Sequence, residues 1–211
     1  MKRRNFLAAS LAGGIPLTME TNDFTQLPGE KPLRPFTVAA SKPTDIGVGN
    51  GVNMVRTMIR QSQTNNHFSC IEGYVAPKRM GPPIHLHKEA DELMYVVEGT
   101  AGMMVDGEIF IVEAGGFGFR PHGLVHTFFN PSDTPMRFID MFPNQGFEVY
   151  LEGMFTEIPA KLIAQGLKPG TPEFGKGMQA GLQELDKRFD VVWFMEDPRY
   201  QKIVKKYGLT V

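Results

Sequence analysis

The sequence predicts a mainly β barrel or sandwich followed by α-helices. Three observations point to it. Short apolar runs recur between about residues 50 and 145, separated by Gly, Pro, Asn and Asp turns, the punctuation of all-β sandwiches and barrels. Asp106-Gly107 lies between two such runs, and this dipeptide suits the positive φ that a tight hairpin turn needs at both centres. After Pro143 the period changes: Phe147, Leu151, Met154 and Ile158 recur at helical spacing.

The whole chain sets bounds on these readings. Its 211 residues suit one domain with a sizeable core. It is 42% hydrophobic and 21% charged, with a net charge of −1. That balance argues against nucleic acid or an anionic membrane as the main partner. No apolar run approaches the ~20 residues that would span a bilayer. A single cysteine, Cys70, excludes an intramolecular disulfide. It falls in a strand-like run, where a small buried hydrophobe is the expected role.

The elements follow in chain order. Residues 1–19 begin Met-Lys-Arg-Arg-Asn-Phe-Leu and continue as a short, mildly apolar run. This is the layout of a secretory signal, and Arg3-Arg4 resembles the twin-arginine signature. It implies a periplasmic or secreted protein; the other reading is an unstructured cytoplasmic tail. Residues 20–48, rich in Pro, Gly, Asp and Thr, read as an extended arm with one strand near Phe36 to Ala40. The barrel is expected over 49–145. Its strands run from Val52 to Arg60, from His67 to Ala76, along both sides of Asp106-Gly107, from near Val125, and from Met136 to Phe142. Residues 146–211 read as a helical extension. Pro159 should kink or restart its first helix. Thr171-Pro172-Glu173 is an N-cap, a first-position proline and an acid. Phe174, Met178, Leu182, Leu185 and Phe189 form one apolar stripe, read as packing, with a lid as the alternative. Asp197-Pro198 starts a last helix that Gly208 stops.

The chemistry concentrates in two stretches. In the first, His85 and His87 stand two apart, so an extended strand points both imidazoles the same way. Pro82-Pro83 argues against a helix there. Glu92 follows His87 by five residues, an odd step that a turn over Lys88 to Asp91 must correct. In the second, Pro121-His122-Gly123 is a turn and the strand after it carries His126. Three histidines and one glutamate form a mixed nitrogen and oxygen donor set, suited to iron, manganese, nickel, copper or zinc. An octahedral ion held by them keeps two positions open. His67 and His122 stand outside this spacing. If Glu92 and His126 face inward, Met94 and Phe128 follow. Phe119, with Met103 or Met104, is a further candidate for an apolar substrate pocket.

These residues resemble the two motifs of the cupin superfamily, small RmlC-like jelly-roll barrels, or double-stranded β-helices. His85, His87, Glu92 and Gly99 match the first motif's spacing, except that its leading glycine, Gly81, stands closer to His85 than usual. Gly115, Pro121, Gly123, His126 and Asn130 match the second throughout. The resemblance implies one divalent metal held by His85, His87, Glu92 and His126, and pairing into a homodimer. Glu92 could stay a ligand or act as a catalytic general base. Within the superfamily, Asp91 to Gly99 and the helical tail are most similar to quercetin-dioxygenase-like proteins, which implies a dioxygenase-type oxidoreductase acting on a small aromatic or flavonol-like substrate. Two other readings stand beside it: an oxygen-independent isomerase, lyase or decarboxylase, and a non-catalytic cupin that binds a small molecule or metal.

Overall fold

A computed structural model of the chain describes residues 33–40, 48–49, 53–143 and 145–211. The proposed signal, with Arg3 and Arg4, lies outside them, as does most of the arm. Two antiparallel sheets face each other. The six-stranded sheet has the order β1 (Val48–Gly49), β2 (Asn53–Ile59), β3 (Phe68–Val75), β10 (Met136–Pro143), β5 (Glu92–Glu98), β8 (Phe117–Arg120). The five-stranded sheet has the order β11 (Val191–Trp193), β4 (His85–His87), β9 (His126–Phe129), β6 (Thr100–Val105), β7 (Glu108–Glu113). This is the mainly β, cupin-like sandwich with C-terminal helices that the strand pattern predicts.

Alternation along each strand builds the core. Met94 and Val96 of β5, Phe138 and Phe142 of β10, and Met103 of β6 are buried between the sheets. Each side chain of this size removed from water contributes roughly 1.5–3 kcal/mol before entropy is subtracted. A second cluster joins Met80, Ile84, Met104 and Phe129 to Ile203 of α4 (Pro198–Tyr207) and to Leu209. The Asp106-Gly107 hairpin forms as its turn chemistry requires, with φ of 49° and 92°. Cys70 is a buried free thiol.

The tail is helical where the caps predicted it. Thr171 Oγ1 accepts the Phe174 N–H at the start of α3 (Pro172–Phe189). Gly208 caps α4 with a φ of 61°. Ahead of Pro159, the helix α1 (Phe147–Glu152) opens into a π-helical turn, Gly153–Glu157, before α2 (Ile158–Ala164) restarts it. Proline has no N–H to donate to that turn, so the change of helix type falls where the ladder is interrupted.

Two expectations need correction. Residues 33–40 form no strand. Pro35 cannot donate to a ladder, and the free edge of β2 is taken by β1 instead. Residues 146–211 are not a purely helical extension: β11 pairs with β4, Val192 opposite Leu86 and Trp193 opposite His85. The tail therefore completes the sheet that carries the paired histidines.

Candidate metal centre

The site is assembled from both sheets. His85 and His87 both turn inward from β4, as period-two alternation requires, and both are buried. His126 enters from β9, directly opposite His85 in the ladder. Glu92 opens β5, which belongs to the facing sheet. The odd step between His87 and Glu92 is thus resolved by the chain crossing from one sheet to the other over residues 88–91. The donor atoms of His85, His87, Glu92 and His126 all lie within 4.8 Å of one another.

The polar atoms there fit a cation. Nδ1 of His85 is 2.8 Å from the Pro83 carbonyl, and Nδ1 of His126 is 2.9 Å from the Leu124 carbonyl. With Nδ1–H donating, each ring presents the Nε2 lone pair to the centre. His126 Nε2 lies 3.0 Å from Glu92 Oε2, and His87 Nε2 lies 3.5 Å from Glu92 Oε1. Yet His126 Nε2, His87 Nε2 and Glu92 Oε2 make no hydrogen bond. Two donors each about 2.1 Å from one ion, at a right angle, stand about 3 Å apart. Buried acceptors this close, without hydrogen-bond geometry, have the spacing that a shared ion would require.

Electrostatics favour the same species. Burial, with the neighbouring His126 and His87, holds His85 well below the ordinary imidazole value. Burial lowers His87 to about 4 although Glu92 opposes the shift. Both rings are therefore neutral, ligand-ready imidazoles at neutral pH. Burial alone would raise the Glu92 carboxyl; Arg120 first, then His87 and His126, bring it well below the carboxylate range.

Arg120 is the residue that sequence reasoning missed. It is fully buried on β8, opposite Glu92 in the ladder, with Nε 3.2 Å from Glu92 Oε2. Its Nη2 donates to both Asp140 oxygens, at 2.7 Å to Oδ1. Burial pushes Asp140 up to about 6, against the pull of Arg120 and with the help of Glu92.

Beside the donors lies a cavity of about 300 Å³. Phe128, Phe138, Phe142, Phe147, Tyr150 and Trp193 line much of it, and among the described residues no Lys or Arg does. Phe147 sets its ring edge-on to His87 with centroids 4.6 Å apart. Trp193 lies over His85 at 4.9 Å. Tyr150 Oη and Trp193 Nε1 donate to the same Asp186 oxygen at 2.8 and 2.9 Å, which ties α1, α3 and β11 into one wall. Of the four side chains expected to line the pocket, Phe128 does. Met94 and Met103 are buried in the core between the sheets and do not line the cavity. Phe119 is 55% exposed, because Arg120 takes the inward phase of β8. His122 pairs with Asp91 away from the donors, and His67 is not among them. Asn130, the last residue of the second motif, is not among the donors: its Nδ2 donates to the Val75, Ala76 and Thr134 carbonyls and pins the loop after β9.

Comparison with known proteins gives one family match and several partial structural matches. Residues 73–142 match the family model described as the cupin domain, a span that contains all four donors. No curated protein matches. Solved structures match part of the chain at low identity. KdgF from Halomonas sp. is 17% identical, over 47% of this chain and 86% of its own, with a TM-score of 0.42. The polyketide cyclase RemF from Streptomyces resistomycificus is 25% identical, over 52% and 81%, at 0.42. A Cupin 2 conserved barrel domain protein from Salinispora arenicola is 18% identical, over 52% and 89%, at 0.43. Fold and site together describe a cupin-like β-sandwich with a possible four-residue metal centre.

Proposed function

We propose that the chain is a metal-dependent cupin enzyme, and more specifically a dioxygenase-type oxidoreductase acting on a small, neutral aromatic substrate. The observation that carries the metal-centred part is the convergence of four buried donor residues beside an aromatic cavity, with His87 Nε2, Glu92 Oε2 and His126 Nε2 lacking hydrogen-bond partners. His85, His87, His126 and Glu92 would hold the ion. A divalent transition metal so held supplies Lewis-acid or redox chemistry at its open positions.

The chain's own residues do the rest. The aromatic wall from Phe128 to Trp193 excludes water and offers faces for a flat ring. The lack of a Lys or Arg on the lining among the described residues, with Glu92 and Asp140 present, disfavours an anionic substrate. Of the two roles open to Glu92, permanent ligand fits better than general base, since its carboxyl is held far below neutrality. The dioxygenase assignment itself rests on the resemblance of the motif stretch.

One observation favours a second reading. Asp140 also lines the cavity and is held near 6, which suits a proton-transfer group. An oxygen-independent isomerase, lyase or decarboxylase would use it directly. The test is a panel of phenolic and other neutral aromatic compounds, assayed with metal-loaded protein in air and under nitrogen. Oxygen uptake matching substrate loss supports the dioxygenase. Turnover that persists under nitrogen replaces it with the second reading. Binding without turnover that survives both His85→Ala and Glu92→Ala contradicts a metal-centred function.

A further inference from the structure

Arg120 is a costly residue to bury. A guanidinium with no exposure loses its hydration, and apolar residues of similar volume often stabilise a core as well or better. Here the burial is also poorly satisfied: Nε and Nη1 make no hydrogen bond. Its position is dictated by charge. Nε faces Glu92 Oε2 on one side, and Nη2 clasps Asp140 on the other. Phe128 covers the guanidinium, which sits 5.1 Å from the ring centroid. Phe128 is itself a cavity wall and Arg120 is not, so the cation reaches the cavity only through its two carboxylate partners, Glu92 and Asp140, of which Glu92 is the one among the metal donors.

We infer that Arg120 is a positioning residue for the metal ion: it orients Glu92 as an anionic ligand toward the three histidines and, with Asp140 as its counter-charge, sets how strongly that carboxylate donates. This rests on the metal-centred reading above. Two buried carboxylates, Glu92 and Asp140, flank the guanidinium in a line Glu92–Arg120–Asp140. Without the cation, both would face a low-dielectric interior with no guanidinium between them, and Glu92 would lose the partner that fixes its orientation. Partners behind a ligand commonly change metal affinity 10–100-fold. A lysine offers one point charge and cannot span both carboxylates, so it should restore only part of the effect.

The test uses Co²⁺, whose visible spectrum reports ligand geometry, on chelator-treated full-length protein. Arg120→Met alone leaves two buried anions uncompensated and risks misfolding. The comparison is therefore between Asp140→Asn and the charge-balanced double variant Arg120→Met with Asp140→Asn, both checked by circular dichroism. Expected is Co²⁺ affinity roughly 10–100-fold weaker in the double variant than in Asp140→Asn, with a shifted visible spectrum, partly recovered by Arg120→Lys with Asp140→Asn. Equal affinity and an identical spectrum in the two variants would overturn the role of Arg120 while leaving the metal site standing. A parent protein that binds no Co²⁺ overturns the metal reading, and this inference with it.

Discussion

His85 and His126 are ladder partners: they sit opposite each other on β4 and β9, with ring centroids 4.5 Å apart. The two motif stretches, 41 residues apart in sequence by these positions, therefore meet through strand pairing as well as through donor chemistry. The register that pairs β4 with β9 also sets the donor geometry. A one-residue slip would turn His126 to the other face of the sheet.

Trp193 is the only tryptophan in the sequence and lies 4.9 Å from the His85 ring. Its emission should report occupancy of the site. Titrating Co²⁺ or Cu²⁺ into chelator-treated protein should quench it saturably. Zn²⁺, with a filled d shell, should quench far less. His85→Ala should abolish the saturable response, whereas quenching that continues linearly in that variant would mean the ion binds elsewhere.

Gly99 closes the first motif with a φ of 77°, and a Cβ there would collide with the Pro135 carbonyl oxygen. Gly99→Ala should cost about 2–3 kcal/mol, from left-handed strain and a clash with rigid backbone. Urea unfolding measures it. A loss below about 0.5 kcal/mol would show that the turn is not fixed as described.

Burial pushes the Cys70 thiol up to about 12, with Asp140 and Glu72 adding to the shift. A folded pKa above the unfolded one means that the thiol contributes stability fully below about pH 9. That contribution is lost as pH rises toward 12, by about 1.4 kcal/mol per pH unit. Parent protein should therefore lose more stability than Cys70→Ala between pH 9 and 10.5. Iodoacetamide at pH 8 should leave folded Cys70 unmodified and label it in urea. Rapid labelling of the folded protein would contradict its burial.

Much of the barrel and the donor set is legible in the sequence because the signals are local. His85 and His87 share a face by alternation alone. Asp106-Gly107 dictates its own turn, and Thr171-Pro172 its own helix start. What escapes depends on pairing at long range. Arg120, beside Pro121, carries no local signal of burial; its burial follows from Glu92 and Asp140, which reach it only through β5 and β10. The same phase turns Phe119 outward, so recognising Arg120 as inward would have corrected Phe119. Three residues between two helices, Val191–Trp193, carry too short a pattern to announce a strand, although they supply the ring above His85. Glu92 was readable as a donor, but the reason it faces the histidines, a crossing between sheets, was not.

The central claim is that His85, His87, Glu92 and His126 hold one transition-metal ion. Elemental mass spectrometry on protein purified without an affinity tag, beside His126→Ala, tests it most directly. The account predicts about one ion per chain in the parent and a near-complete loss in the variant, with both proteins folded. No metal in the parent, even after incubation with iron, manganese, nickel, copper and zinc in turn, or equal metal in both proteins, would contradict it.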